Sequence, residues 1–395
     1  MTAFGRALLP EWGLDPEIAY LNHGTVGAAP LRVLRAAERI RLEVERQPAR
    51  FLLRELAAIR VGGPRATPPR LRTAAAQVGA FLGAAGDHVA FVDNATTGVN
   101  AVLRSLPLQE GDEIVRLDHG YGSVGLIAGY VARERGAAVR TVTVPFPEIA
   151  PDALLDALDR ALGPRTRIAV LDHVTSESAL VLPIAAMTAR CRARGVPVLV
   201  DGAHAPGAIA LDIPSIGADW YAANLHKWAW SPRSCGILWA APERQAGLHP
   251  AVISWGLDQG FTTEFDWVGT RDPAPFLAAP EGIEAMRAIG VEAVRRHNHD
   301  LAWSAAKLLA ERWETRFTTP EPAIGCMATL ALPERAGHTA EDAARLRDRL
   351  LERDRIEVQL HAWGGRLWVR ISAQVYNETA DYERLAEAVL ARSGA

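Results

Sequence analysis

Only two lysines occur in this chain, Lys227 and Lys307, against a background of arginine. Chemistry that needs an ε-amine therefore has two candidates. Lys227 stands in the apolar stretch "LHKWAW". Burial beside Trp228 and Trp230 disfavours an ammonium and makes the amine a nucleophile near neutral pH. Lys307, in "AWSAAKLLAERW", falls on an amphipathic helical pattern and reads as a solvated face. Asp201 follows the apolar run of "VLVDGAHAPG" directly, with His204 just beyond it. "FVDNATTGVN" ends an apolar run at Asp93 and opens a helix whose first N–H groups suit an anion such as phosphate. An amine, a carboxylate and an anion cradle, each at a strand end, suit pyridoxal phosphate. The amine forms a Schiff base with the aldehyde, the carboxylate keeps the ring nitrogen protonated, and the helix start holds the phosphate.

These residues must be brought to one edge. Between about Arg70 and Ala240, short apolar runs alternate with amphipathic ones. "HVAFVD", "DEIVRLD", "VRTVTVP", "RIAVLDHV", "VPVLVDGA", "DWYAANL" and "CGILWA" read as strands. The helical runs between them predict a mostly parallel α/β sheet covered on both faces, with function beyond the carboxyl ends of its strands. After Asp272 come a long broken helical segment, "MATLALP", the helix "AEDAARLRDRLLER", the strands "IEVQLH" and "RLWVRIS", and a closing helix. These predict a smaller C-terminal α/β domain. The basic, proline-rich "RVGGPRATPPRLR" reads as a solvated loop.

The net charge of -3 gives no reason to expect nucleic acid or an anionic membrane. No apolar run reaches the roughly 18 residues of a membrane span, and the opening "MTAFGRALLPEWGLD" is not patterned as a secretory leader. Cys191, Cys235 and Cys326 are far apart and form no metal-like cluster, so a cytoplasmic compartment and no metal are expected.

The segments "NATTGVN", "DHGYGSV", "DHVTSES", "VDGAHAPG", "NLHKW", "GTRDPAP" and "VRISAQVYN" resemble, in order, those of the class V aminotransferase family of fold-type I pyridoxal phosphate enzymes. The isopenicillin N epimerase-like branch is the nearest match, and the resemblance runs over almost the whole chain. It implies a large domain with a mostly parallel seven-stranded sheet over residues 31–272, connecting helices and a small domain over 273–395, and an N-terminal arm over 1–30. It implies that Lys227 carries the cofactor, Asp201 pairs with the ring nitrogen, and Ala95 and Thr96 bind the phosphate with help from Asn224 and His226. Tyr121 would stack on the ring, and His204 and Ser176 would lie near the ring hydroxyl. Thr270 would reach the phosphate of a neighbouring subunit, so a homodimer with shared active sites is implied. Arg370 would bind the substrate α-carboxylate, and His23 and Arg50 match segments near the substrate.

The expected activity is therefore at the α-carbon of a small amino-acid substrate. Epimerisation is the first expectation, with Lys227 serving one face and Tyr121 the other. Carbon–sulfur elimination and transamination are the enzymatic alternatives, and a catalytically silent binding protein is the other class. Cys326 opens an apolar strand, as a structural thiol does, which disfavours persulfide chemistry.

Overall fold

A computed structural model describes residues 4–59 and 66–392. Its strands are β1 (Ala19–Tyr20), β2 (Val89–Val92), β3 (Glu113–Leu117), β4 (Ala138–Val142), β5 (Thr166–Asp172), β6 (Val198–Asp201), β7 (Trp220–Asn224), β8 (Gly236–Ala240), β9 (Met327–Ala331), β10 (Ile356–Glu357), β11 (Gln359–Trp363) and β12 (Arg366–Ser372). A seven-stranded sheet runs in the order β2-β8-β7-β6-β5-β3-β4. β8 runs opposite to the other six strands. The central strands carry apolar residues on both faces because helices cover both, and β6, β7 and β8 are buried along their whole length. Each fully buried Val, Leu or Ile contributes about 1.5–3 kcal/mol. The edge strand β4 is largely exposed.

Parallel order has one consequence for function. The carboxyl ends of β2, β3, β5, β6 and β7 meet at one edge, which brings Asn94, Tyr121, Asp172, Asp201 and Asn224 together. Asn94 starts the helix Ala95–Ser105, where its side chain accepts the Thr97 N–H at 2.9 Å.

The long helical segment is two helices, Ala279–Ile289 and Val291–Arg312, broken at Gly290 with φ 105°. The helix Ala340–Asp354 opens on a capping box between Thr339 and Asp342. A three-stranded antiparallel sheet, β11-β12-β9, places Arg370 on its middle strand. The parallel pair β1–β10 ties the N-terminal segment to the C-terminal part, so residues just after β1 reach the site. The stretch Arg60–Arg65 of the expected basic loop lies outside the described residues. Its far end differs from expectation, since Arg70 already begins the helix Arg70–Phe81, with Pro69 just before it. Among the described residues no helix is long and apolar enough to cross a membrane, and no group of three or more metal-ligating side chains forms.

Candidate active site

A cavity of about 580 Å³ opens at this sheet edge. Ala95, Thr96, Tyr121, Ser176, Asp201, His204, Asn224, His226, Lys227 and Arg370 all line it.

Lys227 follows β7 and is backed by Trp228 and Trp230, both buried. Burial brings its ammonium down to about 7, with nearby Arg370 acting in the same direction and Asp201 against it. His204 Nε2 lies 3.1 Å from Lys227 Nζ, and Trp228 Nε1 donates to His204 Nδ1 at 3.4 Å. An indole nitrogen only donates, so Nδ1 must be the acceptor and the proton of a neutral imidazole sits on Nε2. That N–H can then donate only to an uncharged Lys227 amine. Burial, and then the Lys227 charge, hold His204 well below its ordinary value, in agreement with a neutral ring. In cofactor-free protein, acylation of Lys227 by a small reagent should rise with pH through a midpoint near 7. Mass mapping separates it from Lys307. A Lys227 profile that climbs only above about pH 9, as for an ordinary lysine, would contradict this environment.

Asp201 ends β6 and is buried, and its Oδ1 accepts the Ala203 N–H at 3.0 Å. Burial raises its pKa, against the Ala203 N–H and the Lys227 charge. Asp172 on β5 is its register partner, and burial followed by the Asp201 charge pushes Asp172 well above the ordinary carboxyl range. The sequence reading took only Ser176 from "DHVTSES" and missed Asp172. The signal was there, since Asp172 ends a strand as Asp201 does.

Asn224 Oδ1 accepts the Ala95 N–H at 2.9 Å. Asn94 takes the Thr97 N–H, so the Thr96 N–H, which helix geometry leaves without an acceptor, points at the cavity end of the helix. His226 Nδ1 donates to the Cys235 carbonyl at 2.9 Å, and burial lowers its pKa to about 4. Arg370 is buried, donating to the Ser176 carbonyl and to Thr25 Oγ1, both at 2.7 Å. Its pKa falls to about 10 through burial, with Glu177 opposing.

Three expected residues lie elsewhere. His23 is wholly buried behind Lys227, bonding the Lys227 carbonyl at 2.9 Å and the Tyr376 hydroxyl at 2.8 Å. Its neighbours Gly24, Thr25 and Val26 line the cavity instead. The close approach needs Gly27 (φ 67°), where a Cβ would fall 1.9 Å from the His226 carbonyl oxygen. Arg50 is exposed and pairs with Glu55 at 2.8 Å, away from the cavity. Thr270 is exposed and is not part of this chain's own cavity. Gln359, His361 and Glu177 were missed although they line it. Cys326 is buried, and burial lifts its thiol to about 12, as a structural thiol requires.

The residues suit pyridoxal phosphate. Asp201 is a buried carboxylate whose charge a protonated ring nitrogen would offset. Thr96 offers an N–H and a hydroxyl to a phosphate, and Lys227 offers a neutral amine to an aldehyde.

The aminotransferase class V family model matches residues 66–385. The probable chloroplastic L-cysteine desulfhydrase of Arabidopsis thaliana is 34% identical, over 96% of this chain and 84% of that protein. The isopenicillin N epimerase of Streptomyces clavuligerus is also 34% identical, over 99% and 98%. The solved cysteine desulfurase of Thermococcus onnurineus shares the fold with a TM-score of 0.80, covering 99% of this chain and 98% of that one at 18% identity.

Proposed function

The chain belongs to the class V aminotransferase family of fold-type I pyridoxal phosphate enzymes, and from that premise we propose that it is a carbon–sulfur lyase acting on a cysteine-derived amino acid. The bound cofactor supplies an aldehyde that takes up an amine and a ring that withdraws electrons from the α-carbon. In this reading Asp201 holds the ring nitrogen, Thr96, Ala95, Asn224 and His226 surround the phosphate, and Tyr121 and Ser176 flank the ring. Arg370 grips the α-carboxylate in a fork that matches its two oxygens. Lys227 takes the α-proton, and His204 holds the amine oriented and uncharged for it.

The observation that carries the lyase reading is the Lys227–His204 contact of 3.1 Å, which makes one proton-transfer unit on one side of the site. Elimination needs no more. The Cα–H and Cβ–S bonds break, a Cα=Cβ bond forms, and the thiolate leaves and takes a proton. Water then converts the product to pyruvate and ammonia. Epimerisation needs a second donor on the opposite face. Tyr121, exposed in the cavity, is the side chain that could serve as that donor. The 34% identity to an isopenicillin N epimerase supports epimerisation as the second reading.

Incubation of holoenzyme with a single-enantiomer cysteine conjugate in heavy water separates the two. Pyruvate, ammonia and thiol in equal amounts are expected. Inverted amino acid carrying deuterium at the α-carbon, without keto acid, would establish epimerisation instead.

A homodimer is part of the proposal. Val252, Ile253, Trp255 and Leu257 lie exposed along one segment, with Trp255 at 78%. Exposed Thr270 is then free to reach the partner's phosphate site. A monomer in sedimentation equilibrium would contradict this. The division at 31–272 and 273–395, with 1–30 as an arm, is proposed on the three-sheet layout. Cytoplasmic residence is proposed on three buried, unpaired cysteines.

A further inference from the structure

Beyond Arg370 the substrate cavity meets a second hollow. Strands β11 and β12 form a hairpin through Gly364 and Gly365, at φ 60° and 75°, the positive-φ pair a two-residue turn requires. Its register sets Gln359 opposite Arg370 and His361 opposite Trp368, and strand alternation puts Trp363 on the same face. Gln359, His361 and Arg370 line the catalytic cavity. His361, Trp363 and Trp368 line the second hollow, of about 70 Å³. His361 and Glu177 belong to both, so the two spaces adjoin.

His119 and Phe146 complete an aromatic wall. The neighbouring ring centroids are 4.8 to 5.9 Å apart and the planes meet at 46° to 87°, so no pair is stacked face to face. The Nε2 atoms of His119 and His361 are buried there without a hydrogen-bond partner. Such atoms are scarce in native proteins and point to a missing ligand. His119 is only 9% exposed. Burial lowers both imidazoles, His361 to about 4 with Arg370 adding to the effect, so neither ring repels a cation. Asp118 and Glu177 supply carboxylates at the rim, and among the described residues no lysine or arginine lines the hollow. Arg366, from outside it, already holds its guanidinium 5.3 Å from the Trp368 ring centre, as a cation–π contact does.

We propose that this hollow is a side-chain subsite for a cationic alkylammonium head group of the substrate. Aromatic faces attract a cation through their quadrupoles, and the rim carboxylates add long-range attraction. One same-face step along β12 separates Trp368 from Arg370, about 7 Å. The head group therefore sits roughly 7–10 Å from the α-carboxylate, a span of a few bonds beyond a cysteine sulfur. The proposal rests on the amino-acid reading above and names its substrate class.

Two ligands of one shape, with CH2 in place of the sulfur so that neither can be cleaved, test it: (S)-2,7-diaminoheptanoate, whose ammonium N–H groups can reach an imidazole nitrogen, and its uncharged isostere (S)-2-aminooctanoate. Calorimetric titration of holoenzyme should give the cation a dissociation constant about 10-fold or more below that of the isostere. Trp363 is 44% exposed, so Trp363→Leu should fold, which circular dichroism checks. That variant should shrink the preference to about 2-fold or less. Its affinity for L-alanine should not change, because Trp363 lines the second hollow and not the first. Equal or tighter binding of the isostere overturns the subsite, while L-alanine binding leaves the amino-acid reading in place. A preference that survives in the Trp363→Leu, Phe146→Leu double variant also overturns it. Failure of L-alanine and both analogues to bind overturns both readings.

Discussion

Lys227→Ala is expected to lower turnover by roughly 10³-fold or more while the protein still folds. Lys227 is the amine of the cavity and, in the proposed reading, also its α-proton acceptor, so one truncation removes two functions. The main chain around it is held independently of its side chain. The Lys227 carbonyl bonds His23, and the His226 N–H bonds the Cys235 carbonyl at 3.1 Å. The loss should therefore appear in chemistry and not in melting temperature. Borohydride treatment of native holoenzyme should leave the pyridoxyl label on Lys227 alone, and Lys227→Ala should carry none. With only Lys307 as the other lysine, peptide mapping is decisive. Label on Lys307, or substantial turnover by the folded variant, would remove Lys227 from its proposed place.

Asp201→Asn should slow α-proton exchange by about 10²–10³-fold, the usual scale for losing one preorganised charge-assisted contact, about 3–4 kcal/mol. Asparagine keeps the shape and the acceptor for the Ala203 N–H but cannot hold a proton on the ring nitrogen. The same change should not destabilise cofactor-free protein at neutral pH. Burial raises the folded-state pKa of Asp201 above its unfolded value. For an acid shifted this way, the favourable contribution of the protonated form is full below the unfolded pKa of about 3.9 and is lost as pH rises through the folded value. At higher pH the native protein thus holds a buried charge that the variant lacks. The melting temperature of Asp201→Asn relative to native should rise as pH is raised from about 4 through the folded-state pKa, both measured without cofactor. Near-normal proton exchange in the folded variant would remove Asp201 from the electron-withdrawing role. A relative melting temperature that falls with pH would show the carboxylate stabilised by a partner in the fold.

These two residues were legible because their signals are local. A strand that must be buried on both faces reads as a short apolar run, and its last residue stands where the run ends. Each of the seven strands of the large sheet overlaps a run recognised in the sequence, with β4 and β5 beginning one residue before theirs. Parallel order then brings the carboxyl ends of the parallel strands to one edge, so the grouping of Lys227, Asp201 and Thr96 was legible in the sequence alone. Asp172 shows the limit even there. It ends β5 as Asp201 ends β6, but only the register shows that the two carboxylates are paired and that their burial is shared.

The amino-acid sequence by itself determined the α/β class and placed the amine, the carboxylate and the helix start of the proposed site at strand ends, because periodicity and strand ends are properties of contiguous residues. Tertiary structure alone decided what closes the site. The β1–β10 pairing carries Gly24, Thr25 and Val26 into the cavity and leaves His23 as a brace behind Lys227. The tertiary fold puts Arg50 on the surface with Glu55, and Thr270 outside its own chain's cavity. The Gly364–Gly365 turn sets which face of β11 meets Arg370, and a slip of one residue would turn His361 and Trp363 away from the site. Such contacts join residues far apart in the chain, and their geometry exists only once the intervening segments have folded and fixed the register.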